Sequence, residues 1–221
     1  MANIKDLFKD IQDNKENYIS QGKGEYFEER ISAKLANIGY VKSIKSDIDN
    51  GKDSYKKIKE IVLSEDHEHI LKNTFTTKSQ HFMVQPFGSQ NYPDFLIFDN
   101  NRIITIETKF IASKQGKPVW NSGLPRLNGI YLFASREDVT FFLGKNLLSR
   151  TEINELHKFF KGLKEYQSEF NNKMNAQKYG FAVYIRKAFQ QQKKFNKAAI
   201  TNFFTNPERE KLEEAVFDCL D

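Results

Sequence analysis

Apolar residues recur along this chain at two periods, and the change of period divides it. Ile4, Leu7, Phe8 and Ile11 stand at helical spacing and predict a helix over 3–13. Phe27, Ile31, Leu35 and Ile38 form one stripe of a second helix over 24–38, which Gly39 ends. Residues 40–60 are polar and Lys-rich, with Asn50 and Gly51 as a turn, and Ile58, Ile61, Val62, Ile70 and Leu71 predict a further helix over 57–72. Between 92 and 143 the period shortens, and 94–99, 102–109, 129–133 and 139–143 each read as a strand. Helical spacing returns over 150–176, opened by a capping box of Ser149 and Glu152 and carrying Leu156, Phe159, Leu163, Tyr166 and Phe170 at spacings of three and four. Residues 179–185 alternate like a strand, 186–197 are basic and amide-rich, and a last helix starts near Asn206 and Pro207 with Leu212, Val216 and Leu220 as its stripe. No linker interrupts this order. It predicts a single α/β domain over 1–221, with a mixed central β-sheet flanked by helices.

Composition sharpens the picture in three ways. The 20 Phe and 9 Tyr need a core or a partner, which argues against disorder. Mean hydropathy is −0.64 and no stretch approaches the length of a membrane span; the residues after Met1 do not read as a secretory signal. The single cysteine, Cys219, leaves no internal disulfide and no Cys-based zinc site, so the expectation is a soluble, cytoplasmic protein. The net charge of +5 permits a polyanionic partner without demanding one.

The informative segment runs from Tyr92 to Lys109. Asn100 and Asn101 suit a two-residue type I′ turn, so the flanking strands form a hairpin. With that loop Asp99 faces Arg102, and Asp94 faces Glu107 at a Cβ separation of roughly 4.5–5.5 Å. Side chains alternate along a strand, so Lys109 shares the face of Glu107. An Asp, a Glu and a Lys therefore converge at one end of an otherwise apolar hairpin. Two carboxylates so close repel, and in an apolar setting both lose solvation. A divalent cation removes the conflict, and hard oxygen ligands favour Mg²⁺. The lysine supplies positive charge beside it, where phosphoryl charge develops or an attacking water is held. The plainer reading is a surface hairpin with opposed charges. Against it, Glu107-Thr108-Lys109 is the only Glu-x-Lys in the chain and interrupts its most β-like strand.

At these residues the sequence resembles the PD-(D/E)xK nuclease superfamily, and within it type II restriction endonucleases. Pro93-Asp94, a spacer of 12 residues, then Glu107-Thr108-Lys109 carry the likeness. The run from Gln85 to Tyr92 is similar to the Gly-Ser-containing approach to the Pro-Asp, and Trp120 to Phe133 to the turn and third core strand of such enzymes. The resemblance covers about 20–145, which would be the catalytic core, with 150–221 as a helical and basic C-terminal part. It implies Mg²⁺-dependent hydrolysis of double-stranded DNA at a short specific sequence. It also implies Asp94 and Glu107 as metal ligands, the Thr108 carbonyl as a third, and Lys109 orienting or activating the water. A further acid from an early helix would be Glu28, with Glu25 behind it; Glu28 also sits beside Glu29 on a helix with a solvated face. The same resemblance implies a homodimer, since a palindromic site mirrors two-fold symmetry, and a cognate DNA methyltransferase as functional partner. The alternatives are a repair or structure-specific nuclease of the same fold and a non-catalytic DNA-binding module.

Two basic stretches are suited to hold DNA. One follows the active-site strand and offers Lys114, Lys117, Asn121, Ser122 and Arg126. The other offers Gln190, Gln191, Gln192, Lys193 and Lys194, where amides suit base edges and lysines suit phosphates; the plain alternative is a solvated helix face. His67-Glu68-His69 lacks a third ligand at a suitable spacing, His81 and His157 are isolated, and there is no Gly-rich phosphate loop.

Overall fold

The computed structural model describes residues 3–19, 24–48, 51–64, 70–75, 78–114, 119–120, 123, 125–190 and 203–221. In chain order the elements are α1 (Lys5–Asp13), α2 (Glu16–Ile19), α3 (Gly24–Asn37), β1 (Val41–Lys42), α4 (Gly51–Leu63), β2 (Leu71–Lys72), β3 (His81–Val84), β4 (Phe95–Asp99), β5 (Arg102–Phe110), β6 (Val119–Trp120), β7 (Ile130–Ala134), β8 (Val139–Leu143), α5 (Arg150–Lys173), α6 (Ala176–Tyr179), β9 (Phe189–Gln190) and α7 (Arg209–Cys219). The main sheet has seven strands in the order β1-β3-β4-β5-β7-β8, with β2 pairing the start of β5. β1 runs parallel to β3 and β5 parallel to β7; the other neighbours are antiparallel, so the sheet is mixed.

Alternation along β4 and β5 explains why helices cover both faces. Phe95, Ile97, Ile104 and Ile106 join Leu7, Phe8, Ile11, Phe27, Ile31, Leu35 and Val216 in one apolar cluster. Leu96, Phe98 and Ile103 join Ile58, Val62, Tyr131, Phe142, Phe203 and Phe204 in the other. Helix α3 stops where Gly39 takes φ +100°, a conformation a side chain disfavours, and the Tyr40 amide returns to the Leu35 carbonyl at 2.9 Å. Helix α7 is locked onto β8 by Arg209, which donates to Asp138, Glu213 and the Val139 carbonyl at 2.8, 2.8 and 2.6 Å. Arg209 accordingly helps hold the Asp138 carboxyl below its usual range, against the opposing effect of burial.

The hairpin register is the expected one: Asp99 pairs with Arg102 and Phe95 with Ile106. Its turn is not type I′. Asn100 has φ +51° but Asn101 is not in the left-handed region. Tertiary bonds hold it instead, with the Asn100 amide on Ser79 Oγ at 2.8 Å and the Asn101 carbonyl on the Asn73 amide at 2.6 Å. The expected helix over 57–72 begins earlier and ends at Leu63; Leu71 belongs to a strand, because β5 offers it a ladder partner at Ile103. The expected strand over 179–185 is absent. α6 ends at Tyr179, Gly180 turns the chain, and 181–188 follow α5 with their backbone held by side-chain amides. The capping box at Ser149 and Glu152 is present. Strands β1 and β3 were not anticipated.

Candidate active site

Five expected residues gather at one end of β4 and β5. Glu107 lies in the middle of β5, 1% exposed, and its Oε1 is 3.0 Å from Lys109 Nζ, itself 17% exposed. Residues 107 and 109 share a strand face, so the pair follows from the alternation. Asp94 sits just before β4, after a cis Tyr92-Pro93 bond. Its Oδ2 accepts from the Thr108 amide at 2.8 Å and from Thr108 Oγ1 at 2.7 Å. The same hydroxyl lies 3.3 Å from Glu28 Oε1. Thr108 thus joins the acid of the hairpin to the acid of α3, through its amide and hydroxyl.

Glu28 is half-buried on α3, one position after buried Phe27, and its carboxylate meets Thr108 on β5 and Gln85 at the end of β3. Burial, and next the charge of Asp94, push its carboxyl above the usual range; hydrogen bonds from Thr108 and Gln85 and the charge of Lys109 oppose this. An open cavity of about 450 Å³ lies beside it, lined by Glu25, Glu28, Glu29, Ser32 and Lys42 among others.

Gln85 was not singled out from the sequence. Its Nε2 lies 3.3 Å from Glu28 Oε2 and its amide donates to the Asp94 carbonyl at 2.6 Å, with φ +45°. One residue therefore ties both acids to the end of β3. An amide side chain has no distinctive spacing, so no pattern along the chain points to it. Behind Glu107 stand Tyr92, 2.6 Å from Thr105 Oγ1, and Tyr131, whose Oη accepts from the Arg126 amide at 3.0 Å. Burial pushes both phenols up, and the Glu107 charge adds to this. Gly129 is required beside them, because a Cβ there would collide with the Tyr92 hydroxyl.

Of the other expected side chains, two are described, Lys114 and Arg126, and both find partners outside this cluster. Lys114 reaches Asp138 at 3.4 Å, on the network that holds α7. Arg126 lies 5.8 Å from the Tyr92 ring centroid and is partly buried near Glu107's aromatic wall. Gln190 belongs to β9, which pairs antiparallel with β6 beyond the active-site strand. The Gln190 side chain, and Lys117, Asn121, Ser122, Gln191, Gln192, Lys193 and Lys194, lie outside the described residues, as do His67, Glu68 and His69. His81 Nδ1 bonds Ser43 Oγ at 2.6 Å. Cys219 is partly buried on α7.

The raised Glu28 carboxyl sets a stability test. Between the ordinary Glu range near ~4.3 and its raised folded value, the native state binds more protons, so stability falls as pH rises through that window. Above it, ionised Glu28 works against folding. Glu28→Gln is therefore expected to melt higher than wild type at neutral pH in EDTA, with the difference shrinking as the pH drops below the ordinary Glu range. A variant that melts lower at neutral pH would contradict a carboxyl raised by burial and by Asp94.

Among the described residues no group of three or more His, Cys, Asp or Glu is close enough to form a ready-made metal cage, and no helix is long and apolar enough to cross a membrane. The chain matches no protein-family model, no curated protein and no solved structure.

Proposed function

We propose that the chain is a Mg²⁺-dependent nuclease that hydrolyses phosphodiester bonds in double-stranded DNA at a short specific sequence, with a restriction-endonuclease-like fold, in the manner of type II restriction endonucleases. The observation that carries this reading is the convergence of Glu28, Asp94, Glu107 and Lys109 at one end of the hairpin in a mixed sheet. The donor chemistry suits Mg²⁺, since carboxylates supply hard oxygens and two of them, Asp94 and Glu28, meet at one threonine hydroxyl. Bound there, Mg²⁺ would polarise the scissile phosphate and lower the pKa of a water.

The chain's own groups do the rest by position. Thr108 fixes the Asp94 carboxylate with two hydrogen bonds, so no reorientation is needed when a cation arrives. Gln85 holds Glu28 toward the same end. Glu107 holds the Lys109 ammonium, which orients the attacking water or meets charge developing on the phosphate. Arg126, beside the aromatic wall, is suited to hold a flanking phosphate. We further propose that the enzyme acts as a homodimer and is matched in the cell by a DNA methyltransferase.

A second reading rests on the same ion pair. A largely buried Lys–Glu pair is also what a structural hairpin in a non-catalytic DNA-binding module would contain. Plasmid digestion separates the readings: discrete bands for the site-specific enzyme, smearing or preference for branched DNA for a repair nuclease, tight binding without cutting for the module.

DNA holding has its own signature. A protein that neutralises Z phosphates shows a log–log salt slope of about −0.9Z. Arg126→Ala and Lys117→Ala are expected to reduce that slope by about one and weaken all sequences alike. At least one of Gln190→Ala, Gln191→Ala and Gln192→Ala is expected to lower the specific-to-nonspecific ratio instead. Fluorescence anisotropy across a salt series checks both. An unchanged ratio in all three would move base readout elsewhere.

A further inference from the structure

Helix α5 carries five lysines and arginines against four glutamates, so its net charge is close to zero, but the charges are sorted round it. At about 3.6 residues per turn, His157, Lys161, Lys164, Ser168 and Asn172, at spacings of three and four, share one face. The first part of that face is a groove of about 320 Å³, lined by His157, Lys158, Lys161 and Lys164 and, from the segment after α6, by Lys187. The second part is a cavity of about 390 Å³ at the turn into α6, whose lining includes Ser168, Asn171, Asn172 and Gln177. None of the four glutamates lines either. Lys158 is shared with Glu155 at 2.6 Å, so Lys161, Lys164 and Lys187 set the charge of the groove.

We propose that this face of α5 grips the sugar–phosphate backbone of duplex DNA, with residues none of which belongs to the active-site cluster; the ligand class rests on the DNA reading above. The chemistry of the lining favours it. Lysine ammonium, serine hydroxyl and side-chain amide are donors that phosphate oxygens take in protein–DNA contacts, and no carboxylate stands among them to repel a polyanion. The shape agrees. From His157 to Asn172 the face runs along the helix for about 22 Å, and one DNA strand carries a phosphate for every ~3.4 Å of axis. A row of donors suits a repeating polyanion, whereas a single phosphate needs donors that converge. A lipid surface calls for apolar side chains on the face that meets it, and none lines the lysine groove. The grip is sequence-independent, because backbone contacts fix register and carry no base information.

Binding, not cleavage, is the readout. In fluorescence anisotropy on a duplex of about 20 base pairs, in EDTA across a salt series, Lys161→Gln with Lys164→Gln is expected to weaken affinity roughly tenfold or more and to reduce the log–log slope by about two. Ser168→Asp with Asn172→Asp, which sets two carboxylates in the amide-lined cavity, is expected to weaken every duplex by the same factor. Both variants are expected to keep the wild-type circular dichroism spectrum and melting temperature, because all four side chains are exposed. A chain that binds through this face and cuts nothing would keep the inference and remove the nuclease reading. A chain that cuts at one sequence while the lysine variant keeps the wild-type slope would do the reverse. A wild type that binds vesicles of phosphatidylcholine and phosphatidylserine but no duplex would overturn the inference and make the lysine groove a lipid-headgroup site.

Discussion

Asp94→Asn and Glu107→Gln are each expected to reduce divalent-ion-dependent DNA cleavage by at least about 10²–10³, the effect of removing one aimed polar group at a reacting centre. Alanine is the poorer choice at 107. From the sequence the residue reads as a ligand outside the core, whose loss spares the fold, but it is 1% exposed and paired with Lys109. Truncating it leaves a hole and a lysine without that acid, and breaking a buried pair costs about 3–5 kcal/mol. Glutamine keeps the volume and removes the charge. Asp94→Asn keeps one oxygen for Thr108. Both variants are expected to keep the wild-type far-ultraviolet spectrum, and both should lose the rise in melting temperature that Mg²⁺ gives the wild type. Cleavage within tenfold of wild type in either would remove the assignment.

Lys109→Met is expected to lose about 10²–10³ in single-turnover rate while binding specific DNA in Ca²⁺ nearly as well as wild type. The ion pair adds a second expectation. Without a divalent cation the variant leaves Glu107 buried without the Lys109 ammonium, a loss of about 3 kcal/mol at the lower end for a buried pair, since Lys109 keeps some contact with water. Mg²⁺ should then stabilise this variant more than the wild type, because the cation replaces a charge the protein has lost. A defect lying wholly in DNA affinity would make Lys109 a phosphate anchor.

The hairpin and its register were legible in the sequence because they are local: an Asn-Asn loop fixes which residues face each other, and strand alternation puts 107 and 109 on one side. The attachment of Asp94 to Thr108 was not legible, since Asp94 lies just outside β4 and its side chain turns to a backbone amide. Glu28 could be named only through the resemblance, and its meeting with Thr108 depends on how α3 docks. Gln85 became visible only through β3, a strand too short to carry a pattern. The stripe of α5 was read correctly as a helix face, yet periodicity does not say whether a face meets the chain's own core or another molecule. At 179–185 the alternation misled for the same reason: it marks an extended segment with two faces, and the amides of α5, not a sheet, hold it.

Digestion of one sequenced plasmid by the wild-type chain, with the fragment ends mapped, tests the central claim most directly. Discrete fragments ending at one short sequence, formed in Mg²⁺ and absent in EDTA or with Glu107→Gln, are the predicted result. Intact plasmid after incubation of folded protein with Mg²⁺ or Mn²⁺, across plasmids that together contain every short palindrome, would contradict it.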